Sequence, residues 1–381
     1  MSAGETHSLD AHAYDLHKRS IIVDTHNDAV VRILDLGHDL SQACNNGFID
    51  LPSMREGNFT AQFFAIQLPP KCYALGTAKQ HLVTMLDAVT QFCERNADRI
   101  QIARSAADVR ALAAAGTHAA ILTLEGAHVI GEDLHELEDL VRCGVRLITP
   151  CHFFSSSWSD SATDAPLHGG LSELGKRAVA EMNRLGIMID VSHVSDEAFW
   201  QILELSRRPV IATHSCIRAL VNHPRNLTDE MIKALAAKGG LAGINFFPEQ
   251  VSERYYADIR EKAAAIATKD ELENTIPIAL LMRAAERDPE ASYNIVMDLG
   301  IPQPTLAECV DHIDYVAKLV GPDYVCMGSD HGAVRFEIVG LEDCSKLPNL
   351  TRELLRRGYS DEDAQKVLGE NVLRFMERHD S

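Results

Sequence analysis

Six short apolar segments of the chain are each followed by histidine or carboxylate side chains. These residues are His26 with Asp28, Glu125, His152, His193, His214 and Asp330. In an extended chain residues i and i+2 share a face, so His26 and Asp28 can point toward one centre. Imidazole and carboxylate groups are ligands of zinc and similar divalent ions. Three histidines and two carboxylates from four of these strand ends would therefore make a ligand set suited to such an ion.

A single histidine or aspartate in such a place is more often an ordinary polar group whose hydrogen bonds are satisfied. Here the same placement recurs after six of eight predicted strands. Independent structural roles would have to be repeated at each of these elements, so the combined pattern favours a metal site.

The elements that position these residues are short runs rich in Val, Ile and Phe, typical of buried parallel strands. Eight such runs occur, at 20–24, 60–68, 118–124, 145–149, 186–191, 209–213, 240–247 and 324–329. Most are separated by segments of helical periodicity, at 79–96, 106–115, 133–143, 171–185, 195–207, 228–238 and 305–320. This alternation predicts an α/β fold, a parallel (β/α)8 TIM barrel, whose catalytic residues lie at the carboxyl ends of the strands.

Two segments depart from a minimal barrel. Residues 248–304 form an insertion between the seventh and eighth predicted strands, with a charged helical stretch at 252–269. Such insertions lie over the catalytic face. After the eighth strand we predict an irregular segment at 331–359 and a final helix at 360–378. We expect one domain spanning residues 1–381.

Charge and composition exclude several classes of partner. The chain has 36 Lys and Arg against 55 Asp and Glu, a net charge of −19, which would repel nucleic acid and anionic membranes. We find no signal-peptide pattern and no run of about 18 apolar residues, so we expect a cytoplasmic protein. Nine scattered cysteines without a C-x-x-C pair disfavour disulfides and thiolate zinc sites.

Several longer motifs surround these residues. They are Val23-Asp-Thr-His26-Asn-Asp28, Leu124-Glu125-Gly-Ala-His128, GIMIDVSHV at 186–194, Ala212-Thr-His214-Ser, His223-Pro-Arg225-Asn226 and Gly340-Leu-Glu-Asp. Together they resemble the membrane (renal) dipeptidase family of metallopeptidases, and the resemblance covers almost the whole chain. Each motif alone is weak, but the combination is specific.

The resemblance implies a binuclear zinc centre in an amidohydrolase-type barrel. By position, His26 and Asp28 would hold one Zn²⁺, and His193 and His214 the other. Glu125 would bridge the two ions and is a predicted catalytic residue. Cobalt or manganese would also suit this ligand set.

The resemblance also implies the residues that handle the substrate. His152 and Arg225 would bind it, and Asp330 would both contact it and transfer protons. After the aspartate the family usually continues as Phe-Asp-Gly, whereas this chain has His331-Gly332-Ala333. The features that this departure affects are the conformation of the local loop and the substrate preference implied by the resemblance. It leaves the predicted metal ligands intact.

The expected function is hydrolysis of free dipeptides, including those with a D-residue in second place, through a metal-bridging hydroxide. Two divalent ions lower the pKa of a shared water from 15.7 toward ~7 and polarise the scissile carbonyl. The planar guanidinium of Arg225 suits a free carboxylate. Alternatively, His223-Pro-Arg225 is a structural turn with a solvated arginine.

Three further questions stay open at this point. A related binuclear amidohydrolase could act on a cyclic amide, a β-lactam or an N-acyl amino acid. Many such enzymes use a strand-end lysine, which is absent from the eight predicted strand ends. A non-catalytic barrel is disfavoured because none of the five ligands is missing. A homodimer is neither required nor excluded.

Overall fold

Eight parallel strands form a nearly closed barrel in the computed structural model, which describes residues 3–43, 49–268, 271, 275–285 and 289–380. A ninth strand, β3, lies outside the barrel order and pairs with β4. The strands are β1 (Val23–Asn27), β2 (Ala61–Gln67), β3 (Ile100–Ile102), β4 (His118–Glu125), β5 (Val145–Thr149), β6 (Met188–Ile189), β7 (Ile211–Ala212), β8 (Leu241–Asn245) and β9 (Val325–Gly328). Their order is β6-β5-β4-β2-β1-β9-β8-β7, and a parallel bridge between Asp190 and Ile211 joins the two ends. The predicted (β/α)8 barrel is thereby confirmed.

The helices pack around this barrel and over its mouth. They are α1 (Ala3–Arg19), α2 (Ala29–Asp35), α3 (Leu51–Glu56), α4 (Pro70–Ala74), α5 (Ala78–Arg95), α6 (Ala106–Ala115), α7 (Glu136–Cys143), α8 (Glu173–Leu185), α9 (Asp196–Leu205), α10 (Asp229–Ala237), α11 (Pro248–Val251), α12 (Glu253–Ala264), α13 (Pro277–Ala285), α14 (Pro289–Asp298), α15 (Leu306–Val320), α16 (Pro348–Arg356), α17 (Asp361–Gln365) and α18 (Asn371–Glu377). None of the helices within the described residues has the length and apolar character needed to span a membrane.

Many of these helices begin at a serine or threonine that accepts a hydrogen bond from the backbone of the first turn. These capping residues include Ser105, Ser172, Ser195, Thr228, Ser252, Thr305 and Ser360. Thr305 and Glu308 form a reciprocal capping box. Each cap contributes about 1 kcal/mol and fixes where the preceding loop ends.

Several predicted boundaries were wrong. Strands β6 and β7 contain only two residues each. Beyond β7 the backbone N–H groups of Thr213 and His214 donate to the side chains of Asp190 and Ser192 rather than to a neighbouring strand. The segment 331–359, predicted to be irregular, contains α16, whose Leu350 and Leu354 are buried. The predicted final helix 360–378 is divided into α17, a π-helical turn at Lys366–Glu370 and α18.

The insertion is more helical than predicted. It contains α11 to α14, whereas only one helical stretch at 252–269 was expected, and Lys269 lies outside the described residues. Strand β3 and helix α1 were not predicted either. Strand β3 pairs with the first three residues of β4.

The barrel is closed at the amino-terminal ends of its strands. Phe375 and Met376 of α18 belong to one buried apolar cluster with Val23, Met188 and Leu241 of the strands. Packing at this end leaves the opposite, carboxyl end for polar groups.

Candidate metal centre

All the sequence-predicted site residues lie at the carboxyl end of the barrel. His26 is the residue before the last of β1, and Glu125 is the last residue of β4. His152, His193 and His214 lie shortly after β5, β6 and β7. Asp28 follows β1 and Asp330 follows β9. One pocket is lined by Asp28, Glu125, His152, His193, Arg225 and Asp330, together with residues of the surrounding loops.

Glu125 is at the centre of this cluster. Its Oε1 atom lies 2.9 Å from Nε2 of His193, 3.4 Å from Nε2 of His214 and 3.6 Å from Nε2 of His26. The Nε2 atoms of His193 and His214 are 3.0 Å apart. Three imidazoles thus surround one carboxylate oxygen.

Glu125 takes part in two groups of side chains that could hold a cation. One group is His26, Asp28 and Glu125, and the other is Glu125, His193 and His214. Within each group the ligand atoms lie within 4.8 Å of one another. A third group combines His26, His214 and Asp330.

Several potential ligand atoms in these groups lack hydrogen bonds, as expected for atoms that bind metal ions. Nε2 of His26, Oδ1 of Asp28 and Oε1 of Glu125 are buried and have no hydrogen-bond partner within the described part of the chain. Leaving buried polar atoms without partners costs free energy, so such groups call for explanation. Divalent cations would satisfy all three atoms.

The electrostatics agree with this interpretation. Burial lowers the pKa of His26 to about 3 and that of His193 and His214 well below the usual value, so all three are neutral at pH 7. A neutral imidazole offers a lone pair to a metal. Burial and the neighbouring carboxylate of Asp330 raise the pKa of Asp28, and burial with Asp28 and Asp330 raises that of Glu125. A bound cation would stabilise both in their charged form.

Two further buried aspartates hold the strand ends in place. Asp190 accepts hydrogen bonds from the side chains of Thr149, Ser192 and Thr213. Asp24 accepts from the backbone and hydroxyl of Ser329, at 2.8 and 2.5 Å. Sequence reasoning missed both, although a carboxylate inside an otherwise apolar strand is itself a signal.

Asp330 is held beside the cluster in a left-handed backbone conformation, with φ 60°. Its Oδ2 accepts a hydrogen bond from Nδ2 of Asn245 at 2.9 Å, and its Oδ1 lies 3.8 Å from Nε2 of His26. Burial raises the pKa of Asp330 to about 6, against the opposing effects of Asn245 and Arg225. Residues other than glycine rarely adopt this conformation, and those that do are often found at functional sites.

The loop that departs from the family pattern crosses directly over Asp28. The backbone N–H of Asp28 donates to the carbonyl of His331 at 2.7 Å. Gly332 has φ 133°, and a Cβ atom there would lie 2.4 Å from the carbonyl carbon of Asp28. Glycine is therefore required at this position by both conformation and space.

Arg225 is buried, with 3% of its surface exposed. Its guanidinium donates to Oγ of Ser215 and to the carbonyl of His214, each at 3.4 Å. The alternative of a solvated arginine is therefore wrong. His152 lies nearby, with its Nε2 3.7 Å from Oε2 of Glu125 and its ring 4.0 Å from the ring of Phe153.

A (β/α)8 barrel with a buried histidine and carboxylate cluster at its carboxyl end has the architecture of a metal-dependent barrel enzyme. The family model for membrane dipeptidases, peptidase family M19, matches residues 10–381. Dipeptidase tcpJ of Claviceps purpurea is 31% identical over 338 residues, which are 87% of this chain and 69% of that protein.

Two solved structures are also similar. The probable dipeptidase PvdM from Pseudomonas aeruginosa has a TM-score of 0.85 and 29% identity, covering 98% of each chain. A metallopeptidase from Rhodobacter sphaeroides, liganded with a phosphinate mimic of the dipeptide L-Ala-D-Ala, has a TM-score of 0.74 and 26% identity, covering 94% of this chain and 99% of that one. The chain belongs to the membrane dipeptidase family, and by that membership it is a metal-dependent dipeptidase.

Proposed function

We propose that this chain is one catalytic domain that binds two Zn²⁺ ions and hydrolyses free dipeptides. The observation that carries the proposal is the position of Glu125, which belongs to two of the three potential cation groups and has a buried oxygen without a hydrogen bond. His26 and Asp28 would hold one ion, and His193 and His214 the other. When bound, the ions would polarise the scissile carbonyl and lower the pKa of the attacking water.

Arg225 binds the carboxylate of the substrate in this proposal. It is a buried cation whose two hydrogen bonds to the protein are long, so its planar guanidinium can accept a stronger anionic partner. Nε2 of His152 lies 3.7 Å from Oε2 of Glu125, and this side chain would contact the carbonyl group of the scissile bond.

Asp330 is proposed to move the proton. Its Oδ1 faces the metal-ligand cluster, whereas its Oδ2 is held by Asn245. Oδ1 would accept a proton from the attacking water and return it to the nitrogen of the leaving amine. A carboxylate in this position can take up a proton and give it back, which is general acid–base catalysis.

The residues of the insertion that line the pocket support a dipeptide rather than a longer peptide. Ile276, Ile278 and Met282 belong to the same pocket lining as Glu125, Arg225 and Asp330. In this proposal the insertion limits the substrate to two residues. Acceptance of a D-residue in second place is supported by the L-Ala-D-Ala mimic bound to the Rhodobacter sphaeroides relative.

A turnover screen on protein of known metal content tests the proposal. The panel contains free dipeptides with L- and D-residues in second place, tripeptides, N-acyl amino acids, cyclic amides and β-lactams. We expect free dipeptides to give the highest kcat/KM. Preferential hydrolysis of any of the other classes would contradict the proposed function.

A further inference from the structure

Two neighbouring side chains at the start of the insertion have oxygen atoms without hydrogen-bond partners. Glu249 and Gln250 belong to α11, and both line the pocket. They are 0% and 4% exposed. Oε2 of Glu249 and Oε1 of Gln250 are buried, and neither accepts a hydrogen bond within the described part of the chain. Buried acceptors of this kind call for a partner that donates hydrogen bonds.

The charge of Glu249 is not neutralised by its hydrogen bond to His223. Nδ1 of His223 accepts the backbone N–H of Arg225 at 3.1 Å, so Nε2 carries the proton. That Nε2 donates to Oε1 of Glu249 at 3.3 Å. Burial lowers the pKa of His223, so the ring is neutral at pH 7. A buried carboxylate that has only this neutral donor among the described residues is expected to bind a cation.

Glu249 is connected to the residues that handle the carboxyl-terminal part of a dipeptide in the function proposed above. His223 links it to Arg225, which would bind the carboxylate. Asn245, four residues earlier in the chain, donates to Oδ2 of Asp330 at 2.9 Å. Asp330 would return the proton to the leaving nitrogen. The carboxylate and that nitrogen both belong to the carboxyl-terminal residue, so we expect its side chain to reach Glu249.

A basic side chain has the chemistry that suits this place. Its ammonium or guanidinium group donates several hydrogen bonds and carries the charge opposite to that of Glu249. Its methylene stem can contact apolar side chains of the same pocket lining, among them Ile278, Met282 and Val334. The net charge of −19 would also attract cationic substrates to the protein.

We propose that Glu249 and Gln250 form a subsite for a basic side chain on the carboxyl-terminal residue, and that the enzyme selects dipeptides ending in lysine or arginine. This inference rests on the proposed function. Oε2 of Glu249 binds the cationic group, and Oε1 of Gln250 accepts a second hydrogen bond from it. A neutral side chain of the same length leaves both oxygens without a donor.

The test compares Gly-X with X-Gly dipeptides, with X as Lys, Arg or norleucine in the configuration that the wild type hydrolyses faster. Norleucine has the stem of lysine without the ammonium group. We expect kcat/KM for Gly-Lys and Gly-Arg to exceed that for Gly-norleucine by about 10- to 100-fold, and the X-Gly series to show no such order. Glu249→Gln should remove most of this ratio, because glutamine keeps the shape but loses the charge. Gln250→Met, which removes only the second acceptor, should reduce the ratio by less.

Glu253→Gln is the matched control. Glu253 begins α12, is exposed and accepts the backbone N–H of Asn222 at 3.2 Å, but it does not line the pocket. Its replacement should leave the ratio unchanged. Equal kcat/KM for Gly-Lys and Gly-norleucine in the wild type would overturn the subsite, as would equal losses for both in Glu249→Gln, or a preference for lysine in the X-Gly series instead. If the metal-loaded wild type hydrolysed none of the dipeptides, the proposed function itself would fail.

Discussion

The hydroxyl oxygen of Thr213 lies 2.8 Å from Nδ1 of His214 and determines which nitrogen of that ring carries the proton. Thr213 donates its only hydroxyl proton to Oδ2 of Asp190, also at 2.8 Å, because a carboxylate can only accept. Oγ1 must then accept the proton of Nδ1. The lone pair of His214 is therefore on Nε2, which faces Glu125 and His193.

Replacing Thr213 by valine should weaken metal binding. Valine has nearly the same shape but cannot connect His214 to Asp190, so the ring loses its fixed orientation. Outer hydrogen bonds of this kind typically contribute about 10- to 100-fold in metal affinity. Competition with a chelator measures the change, and Thr213→Ser is the control, since serine keeps the hydroxyl. Equal affinity in the valine variant would show that the hydrogen bond does not position the ring.

Asp330→Asn should retain metal but lose most turnover. Asparagine can still bond to Asn245, yet it cannot accept a proton from water. General acid–base groups contribute about 10²- to 10⁴-fold, and we expect a fall in kcat of that order. Metal analysis and kinetics on the same preparation check both parts. A metal-loaded variant with nearly normal kcat would assign proton transfer to another group.

Arg225→Ala should reveal recognition of the carboxylate. We expect kcat/KM for free dipeptides to fall far more than for the same dipeptides with an amidated carboxyl terminus. The amidated substrates should already be poor for the wild type, because they leave a buried charge without a partner. If the mutation lowers kcat/KM by the same factor for the free and the amidated dipeptides, Arg225 does not bind the carboxylate.

His17 should make stability depend on pH. Its ring bonds to Oγ1 of Thr351 and to the carbonyl of Gly57, and burial lowers its pKa from 6.5 to about 4. As the pH is lowered from 6.5 to 4, the unfolded chain therefore takes up a proton that the native state does not. The free energy of unfolding decreases as the pH is lowered through this range.

Urea denaturation of the wild type and His17→Gln at pH 7 and pH 5 measures this contribution. The wild type should be the more stable at pH 7, and its advantage should shrink by roughly 2 kcal/mol at pH 5. The exposed His135 provides a control substitution, His135→Gln. An advantage for the wild type that is the same at both pH values would exclude His17 as a source of the pH dependence.

The barrel and the converging residues could be predicted because both follow from local pattern. Apolar runs mark the strands, and a polar residue at the end of a run marks the position of a site, as with Glu125 and His214. The parallel topology then brings distant residues together. The membership of Glu125 in two of the potential cation groups could not be derived from spacing alone.

Other features depend on contacts that no local pattern encodes. Asp24 and Asp190 are interior carboxylates whose partners include residues at the ends of other strands, such as Ser329 for Asp24 and Thr149 for Asp190. Strand β3 is three residues long, and α16 has a narrow apolar face between polar residues. The presence of Met282 in the pocket lining depends on how the insertion packs against the barrel, which is a tertiary property.

The number of metal ions that activate the enzyme tests the central claim most directly. The protein is stripped with a chelator and titrated with Zn²⁺, while bound metal and dipeptide hydrolysis are both measured. We predict full activity at about two ions per chain, with Glu125→Gln weakening both sites and His26→Ala emptying chiefly one. Full activity at one ion per chain, or in metal-free protein, would contradict the account.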